Sequence, residues 1–396
     1  MSVQSQRIKV LSAGVFSLIL TMGIARFAYT PLLPIMQAQT DLNDVTGGWL
    51  AAINYMGYLS GALIAASVSN LQIKDTLYRL GIFVAIVTTA GMAITENFIL
   101  WSIFRFFAGL TSAAGLLVGS GLVLNWLIRH NFRSELGIHF SGAGLGIAFG
   151  AAVVEVAHRY CNWSEQWWVL TLFACLLAIP ALKWLPKPDS SQQTVSGQVM
   201  IDRPPTRTFL YMMMLAYFCA GYGYVISTTF IVDILEQQAE LQGKGAIAFL
   251  VLGLSAAPAC FIWDRIARTS GEMKALLYAY SLQIIGILIP ALSTNLFVVM
   301  FSAILFGGTF IGIVSLVLTM AGRFYPTKPA KLMGKMTLSY GVAQIIGPAI
   351  TGMLAGAMGN YDLGLWIAAC MMLLGTIVIA LLQTTQQTKQ QTEVAS

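Results

Sequence analysis

Twelve apolar runs, parted by short polar breaks, fix what this chain can be before any motif is read. They fall at about 10–36, 46–68, 77–95, 98–127, 135–158, 166–185, 207–236, 245–263, 274–293, 296–322, 332–357 and 361–382. A helix of roughly 20 residues crosses the ~30 Å hydrocarbon core of a bilayer. Inside that core the backbone has no water to bond, so each run must close its own hydrogen bonds as a helix. A membrane barrel would show ten-residue alternating segments instead, and the sequence has none. Only 10% of the 396 residues are charged and 57% are hydrophobic, whereas a soluble domain carries about 25% charged residues. The chain reads as an all-α integral membrane protein lying in a lipid bilayer.

The basic residues then orient it. With the N-terminus placed inside, 18 of the 22 Lys and Arg fall in inner loops and ends; Arg159 and Lys244 lie outside, and Arg26 and Arg105 lie within spans. That asymmetry is the positive-inside signature, and it predicts cytoplasmic N- and C-termini. The same bookkeeping turns the basic excess into a topology signal and away from nucleic acid. Five cysteines stand far apart with no CxxC pair, so they read as small core residues and no metal site is expected.

One long polar connection, Pro186–Thr206, divides the spans six and six. The expected organisation is an N-terminal bundle (1–185), a cytoplasmic linker (186–206), a C-terminal bundle (207–382) and a disordered cytoplasmic tail (383–396). A shift of about 198 residues lays GIARFAYT (23–30) over GYGYVIST (221–228), and a shift of 197 brings Gly137, Gly144 and Gly150 onto Gly334, Gly341 and Gly347. Paired six-helix halves are an architecture of secondary carriers.

At this point the sequence resembles a known family. ARFAYTPLLPIMQ in span 1 and AYFCAGYGYVISTTF in span 7 are similar to the YbfB/YjiJ-type branch of the major facilitator superfamily (MFS). The resemblance covers nearly the whole chain. It implies an MFS fold of twelve transmembrane helices in two pseudo-symmetric bundles, and a transporter rather than an enzyme. The superfamily's span 4 motif is present as FRFFAGL, with Arg105 and Gly109. In relatives that arginine serves proton coupling or anion binding. The gate sequence between spans 2 and 3 lacks its Asp-Arg pair, while the loop after span 8 keeps Asp264 and Arg265. The span 5 antiporter motif is partial: Gly137, Gly146 and Gly150 remain, but Ala151, Val154 and Glu155 replace its later residues. Span 11 keeps Gly347, Pro348 and Gly352. The resemblance assigns gating to Asp264, Arg265, Gly146, Gly150, Gly347 and Pro348; for any single glycine, plain helix packing is the more ordinary account.

Arg26 and Arg105 are the residues that demand an account. Arg26 lies about 24 Å along span 1 and Arg105 about 10 Å into span 4, counted at 1.5 Å per residue, which places both in the outer half. A guanidinium in hydrocarbon costs several kcal/mol unless it meets water or a partner. Snorkelling, structural pairing and ligand binding all compete; two arginines at one depth favour binding. Pro31 and Pro34 lie just beyond and would loosen span 1. Tyr29, Asn54, Tyr58, Tyr224, Thr228, Tyr340 and Gln344 complete an expected substrate site, largely apolar with a few converging polar groups. Arg105, Glu155 and Asp233 are the candidates for proton coupling, since a buried carboxyl beside a cation can gain and lose a proton. His139, near the inner end of span 5, reads as a loop-edge hydrogen bonder.

No P-loop, HExxH, CxxC or GxSxG occurs, so no catalytic residue and no cofactor is expected. The reading is a proton-coupled carrier of the bacterial inner membrane, taken as a monomer, that moves a small organic, anionic or amphipathic solute by alternating access. Export is the lead and uptake of an organic anion its rival. A receptor or assembly subunit on the same scaffold, or a flippase for lipid-linked molecules, would be a different class.

Overall fold

The computed structural model of the protein describes residues 3–68, 70–130, 132, 136–188, 204–324 and 330–395. Among the described residues the chain is all helix, without a strand, and twelve helices are long and apolar enough to span a membrane. They are α1 (Gln4–Gln39), α2 (Asp44–Ser67), α3 (Leu71–Ala93), α4 (Phe98–Leu127), α5 (Gly137–Ala157), α6 (Trp163–Trp184), α7 (Arg207–Glu236), α8 (Gly245–Ser270), α9 (Glu272–Leu292), α10 (Leu296–Ala321), α11 (Lys335–Met358) and α12 (Asp362–Thr384). Twelve antiparallel crossings leave both chain ends at one end of the bundle, called here the terminal end; the other is the distal end. The linker at 186–206 lies mostly outside the described residues. The tail expected to be disordered instead continues the last helix to Ala395. It has no Pro or Gly to stop it, and Gln, Lys and Glu all favour helix.

Every main pairing of the first half recurs six helices later. α1 packs on α5 and α6, α2 on α4, and α3 on α4 and α6; α7 packs on α11 and α12, α8 on α10, and α9 on α10 and α12. The correspondence reaches single residues. A methyl on Gly109 of α4 would lie 1.8 Å from the Asn54 carbonyl oxygen of α2, and one on Gly307 of α10 would lie 2.1 Å from the Leu252 carbonyl oxygen of α8. Glycine is required at both crossings because backbone meets backbone there. In lipid such close packing holds helices together, since burial from water supplies no drive between them.

The halves meet along α5 against α8, α2 against α11, and the distal part of α1 against α7. These seams are also lined by small residues. Gly144 faces Ala256 and Ala257, Gly253 faces Ala148, and Gly48 faces Pro348 and Gly352. Outward, Phe83, Ile99, Leu172 and Phe297 are exposed apolar side chains, as a lipid-facing surface requires. Cys175 and Cys370 also face outward rather than into the core.

Two segments depart from regular winding. Ile19–Phe27 of α1 and Ala114–Val118 of α4 are π-helical. Ala28 N–H donates to the Gly23 carbonyl at 2.8 Å, five residues back. Such wide turns gather at functional sites, and here they adjoin: Ser112 Oγ donates to the Thr21 carbonyl at 2.9 Å, and Gly115 abuts the Thr21 hydroxyl.

Candidate functional site

Arg26 closes the π segment of α1 and is 4% exposed. Its guanidinium carbon lies 4.3 Å from the Tyr58 ring centre, 4.5 Å from that of Tyr55 and 5.2 Å from that of Phe27. Tyr55 and Tyr58 stand three residues apart on α2, hence on one face, and offer two ring faces to the same cation. Arg26 Nη1 lies 4.0 Å from the Met22 sulfur, and Nε has no partner.

Arg105 approaches from α4 and is 3% exposed. Its guanidinium carbon sits 4.3 Å over the Tyr29 ring. Nη1 donates to the carbonyls of Ala25 and Arg26, each at 3.3 Å, and Nε is unpartnered. Asn54 of α2 fixes this helix by donating from Nδ2 to the Arg105 carbonyl at 2.8 Å; its Oδ1 stays unpartnered. Tyr29 is held by its hydroxyl, which donates to the Gly47 carbonyl at 3.0 Å. The two arginines expected to share a depth are therefore neighbours, one bonded to the other's backbone. Among the described residues no carboxylate pairs with either guanidinium.

These environments separate the two cations. Arg105 is held by carbonyls, and a hydrogen bond from a charged donor is worth ~1.5–3 kcal/mol. Arg26 rests on ring faces, where a desolvated cation–π contact is worth about 2 kcal/mol. Against a burial cost of several kcal/mol, Arg26 is the cation with capacity left for a ligand.

The second half supplies an aromatic wall. Tyr224 stacks on Phe310 at 5.1 Å and tilts against Tyr340 at 5.7 Å, and Tyr340 lies 4.5 Å from Tyr217, ring centre to ring centre. Two contacts join this wall to the first half. Tyr55 Oη and Thr229 Oγ1 lie 3.5 Å apart, and Thr30 Oγ1 donates to the Thr228 carbonyl at 2.6 Å. Gln344 is buried with Oε1 unpartnered.

The remaining expected residues scatter. Glu155 is half-buried near the distal end of α5 and makes no hydrogen bond or ion pair among the described residues. Asp233 is 4% exposed and lies at the distal end of α7. Asp264 pairs with Arg268 one turn on, both exposed, while Arg265, one residue away, points about 100° around the helix. Gly146 packs on Gly23 and Gly150 on Ala28, both across α1 and α5; Gly347 packs on Val225, and the Pro348 carbonyl meets Gly48. His139 is fully buried with both ring nitrogens unpartnered, against Gly14 of α1, and not at a loop edge. Three features were missed. Tyr55 stands one turn before Tyr58 and was legible by that spacing. Asp75 and Arg79 form an i,i+4 pair at 2.9 Å, with Arg79 also donating to the Leu182 and Leu185 carbonyls at 3.0 and 3.1 Å. The π segments left no signal in the sequence.

Twelve helices in two matched bundles around a buried, polar, inter-bundle centre define a membrane transporter of the MFS fold. The chain belongs to the family described as "Uncharacterised MFS-type transporter YbfB", which matches residues 18–380. It is similar to the uncharacterised MFS-type transporter YceJ of Bacillus subtilis, 24% identical over 270 residues, or 66% of this chain and 68% of that one. It is also similar to a probable sugar efflux transporter of Haemophilus influenzae, 22% identical over 322 residues, or 80% of this chain and 78% of that one. The crystal structure of the nucleoside transporter NupG superposes with a TM-score of 0.72 at 13% identity, over 96% of this chain and 99% of that one.

Proposed function

We propose that the protein is a proton-driven secondary carrier that exports a small organic anion with an apolar or aromatic body across the bacterial inner membrane, both chain ends lying in the cytoplasm. The observation that carries this reading is the pair of buried guanidiniums without a counter-anion. A bound carboxylate or similar group would neutralise Arg26, and an unpaired charge in low dielectric is what such a site holds at greatest cost. The apolar body would lie against Tyr224 and Tyr340. Arg105 positions Arg26 through the two α1 carbonyls. Alternating access would then consist of the halves rocking on the glycine seams. Export is favoured by the efflux named for one relative.

A thermal-shift screen of small organic acids, each paired with its neutral amide, tests the site. Acids should raise the unfolding temperature of the wild type and not of Arg26→Ala, and amides should raise neither. Equal response to acid and amide, or an undiminished response in Arg26→Ala, would overturn it. In proteoliposomes a pH gradient should drive uptake of the stabilising acid; a receptor would move nothing.

A further inference from the structure

Near the distal ends of α1 and α7 a second polar cluster joins the halves. Gln37, at the end of α1, donates from Nε2 to Asp44 Oδ1 at 2.8 Å. Tyr361, just before α12, donates from its hydroxyl to the same oxygen at 3.2 Å. Asp233, one turn beyond Phe230 on α7, brings its carboxyl to the same Tyr361 and Gln37 side chains. Two carboxyl groups, one from each half, thus meet around the same two side chains, whose hydrogen bonds at 2.8 and 3.2 Å both go to Asp44. The Tyr361 ring is fixed by stacking on Phe230 at 4.9 Å. Burial and the adjoining acids Asp233 and Asp44 push its phenol well above the ordinary value, so it stays a donor.

The two acids are not equivalent. Asp44 is half-buried in the first turn of α2, where the helix dipole favours a negative charge. Asp233 is 4% exposed, and its Oδ2 has no partner. A second negative charge there would face Asp44 across one phenol in a dry site, and like carboxylates so placed do not both ionise. The other groups give it no relief. Glu236, on its own helix, is committed to the Gly243 and Gly245 amides at 2.7 and 2.9 Å. Arg105 is engaged by the Tyr29 ring and the Ala25 and Arg26 carbonyls. Lys244 and Asp362, the latter at the distal start of α12, are exposed, and the distal halves of α8, α9 and α11 carry no charged residue.

We propose that Asp233 and Asp44 form a proton-binding latch: a proton on Asp233 lets the two acids close the distal mouth, and its loss drives them apart. In the closed state the Asp233 O–H bond is intact and Asp44 is the charged acceptor. On opening, that proton leaves to water on the distal side and both carboxylates are hydrated. The sign follows: the closed mouth binds one more proton than the open one, so closure is favoured as pH falls and opening as pH rises. The latch takes its purpose from the proton-driven carrier proposed above, but its geometry is independent of the arginine site.

The test uses the full chain in lipid nanodiscs, with its native cysteines replaced by serine. Spin labels go at Tyr160→Cys and Gln242→Cys, exposed distal positions in opposite halves. Pulsed electron resonance should show a short distance at about pH 5 and a growing long-distance population towards about pH 8. Asp233→Asn, which imitates the protonated acid, should stay short throughout. Asp44→Asn, which removes the charge that an ionised Asp233 would face, should keep the short distance to a higher pH than the wild type. Tyr361→Phe, which keeps the ring, should lower the short population at every pH. A wild type whose distance ignores pH, or an Asp233→Asn protein that opens like the wild type, would overturn the latch. Proton-driven transport in a protein with a pH-insensitive distance would sink the latch and leave the carrier standing. A titrating distance without transport of any organic acid would do the reverse.

Discussion

Thr30 and Thr228 touch across the middle of the molecule, the hydroxyl of one donating to the carbonyl of the other at 2.6 Å, and they are 198 residues apart. That is the step that superimposes the two halves, so each residue occupies the other's place. The contact lies on the pseudo-twofold axis and joins α1 to α7 just distal to Arg26. Thr30→Val keeps the shape and removes the donor, at a cost of about 1 kcal/mol. Spin labels at the distal positions named above should show a larger long-distance population in this variant at every pH. An unchanged distribution would mean that the glycine seams alone hold the distal mouth.

Arg26→Lys should not rescue Arg26→Ala. A guanidinium is flat and lies on both Tyr55 and Tyr58, while an ammonium is a compact, strongly hydrated charge. Loss of one cation–π contact of ~1–2 kcal/mol predicts roughly a tenfold weaker Kd for the acid identified by thermal shift, measured by calorimetry. Wild-type affinity in the lysine variant would mean that charge alone, without stacking, holds the ligand.

Gly109→Ala and Gly307→Ala should each lower thermal stability, by ~1–3 kcal/mol for overpacking, because each methyl would collide with a backbone carbonyl at 1.8 and 2.1 Å. Gly308→Ala is the control, since nothing lies within 4 Å of a methyl there. Unfolding in detergent, followed by tryptophan fluorescence, should rank the control nearest wild type. If all three behave alike, the crossings are looser than the structure shows.

His139→Leu should leave the protein as stable as wild type or more so. Burial of two ring nitrogens without partners costs ~1–3 kcal/mol each, and an apolar side chain of similar size removes that cost. Stability and transport should be measured together. A stabilised variant that no longer transports would show that His139 finds its hydrogen bonds in another conformation of the cycle.

The sequence was informative where chemistry is expensive. Twelve apolar runs appear as twelve helices, with ends that move by a few residues: the first was expected at 10–36 and runs Gln4–Gln39. Arg26 and Arg105 could be singled out because a guanidinium has few tolerable places in hydrocarbon. Asp44 and Tyr361 could not, since each stands at a helix edge where a polar residue excites no suspicion; only the fold brings them to Asp233. The π winding near Arg26 was equally hidden, because it depends on what α1 packs against and not on its own composition. Asp264 pairs with Arg268 and not with its neighbour Arg265 for a local reason: adjacent residues on a helix diverge, while residues four apart share a face.

The halves match in backbone but not in content. Arg26 stands where the second half has Tyr224, and Arg105 where it has Ala303. Under the proposed function the halves divide the labour: one holds the charge that selects a chemical class, and the other presents only shape. Drift in the aromatic half could then retune which molecules fit without disturbing the cationic anchor, so related carriers would diverge in cargo chiefly through α7, α10 and α11.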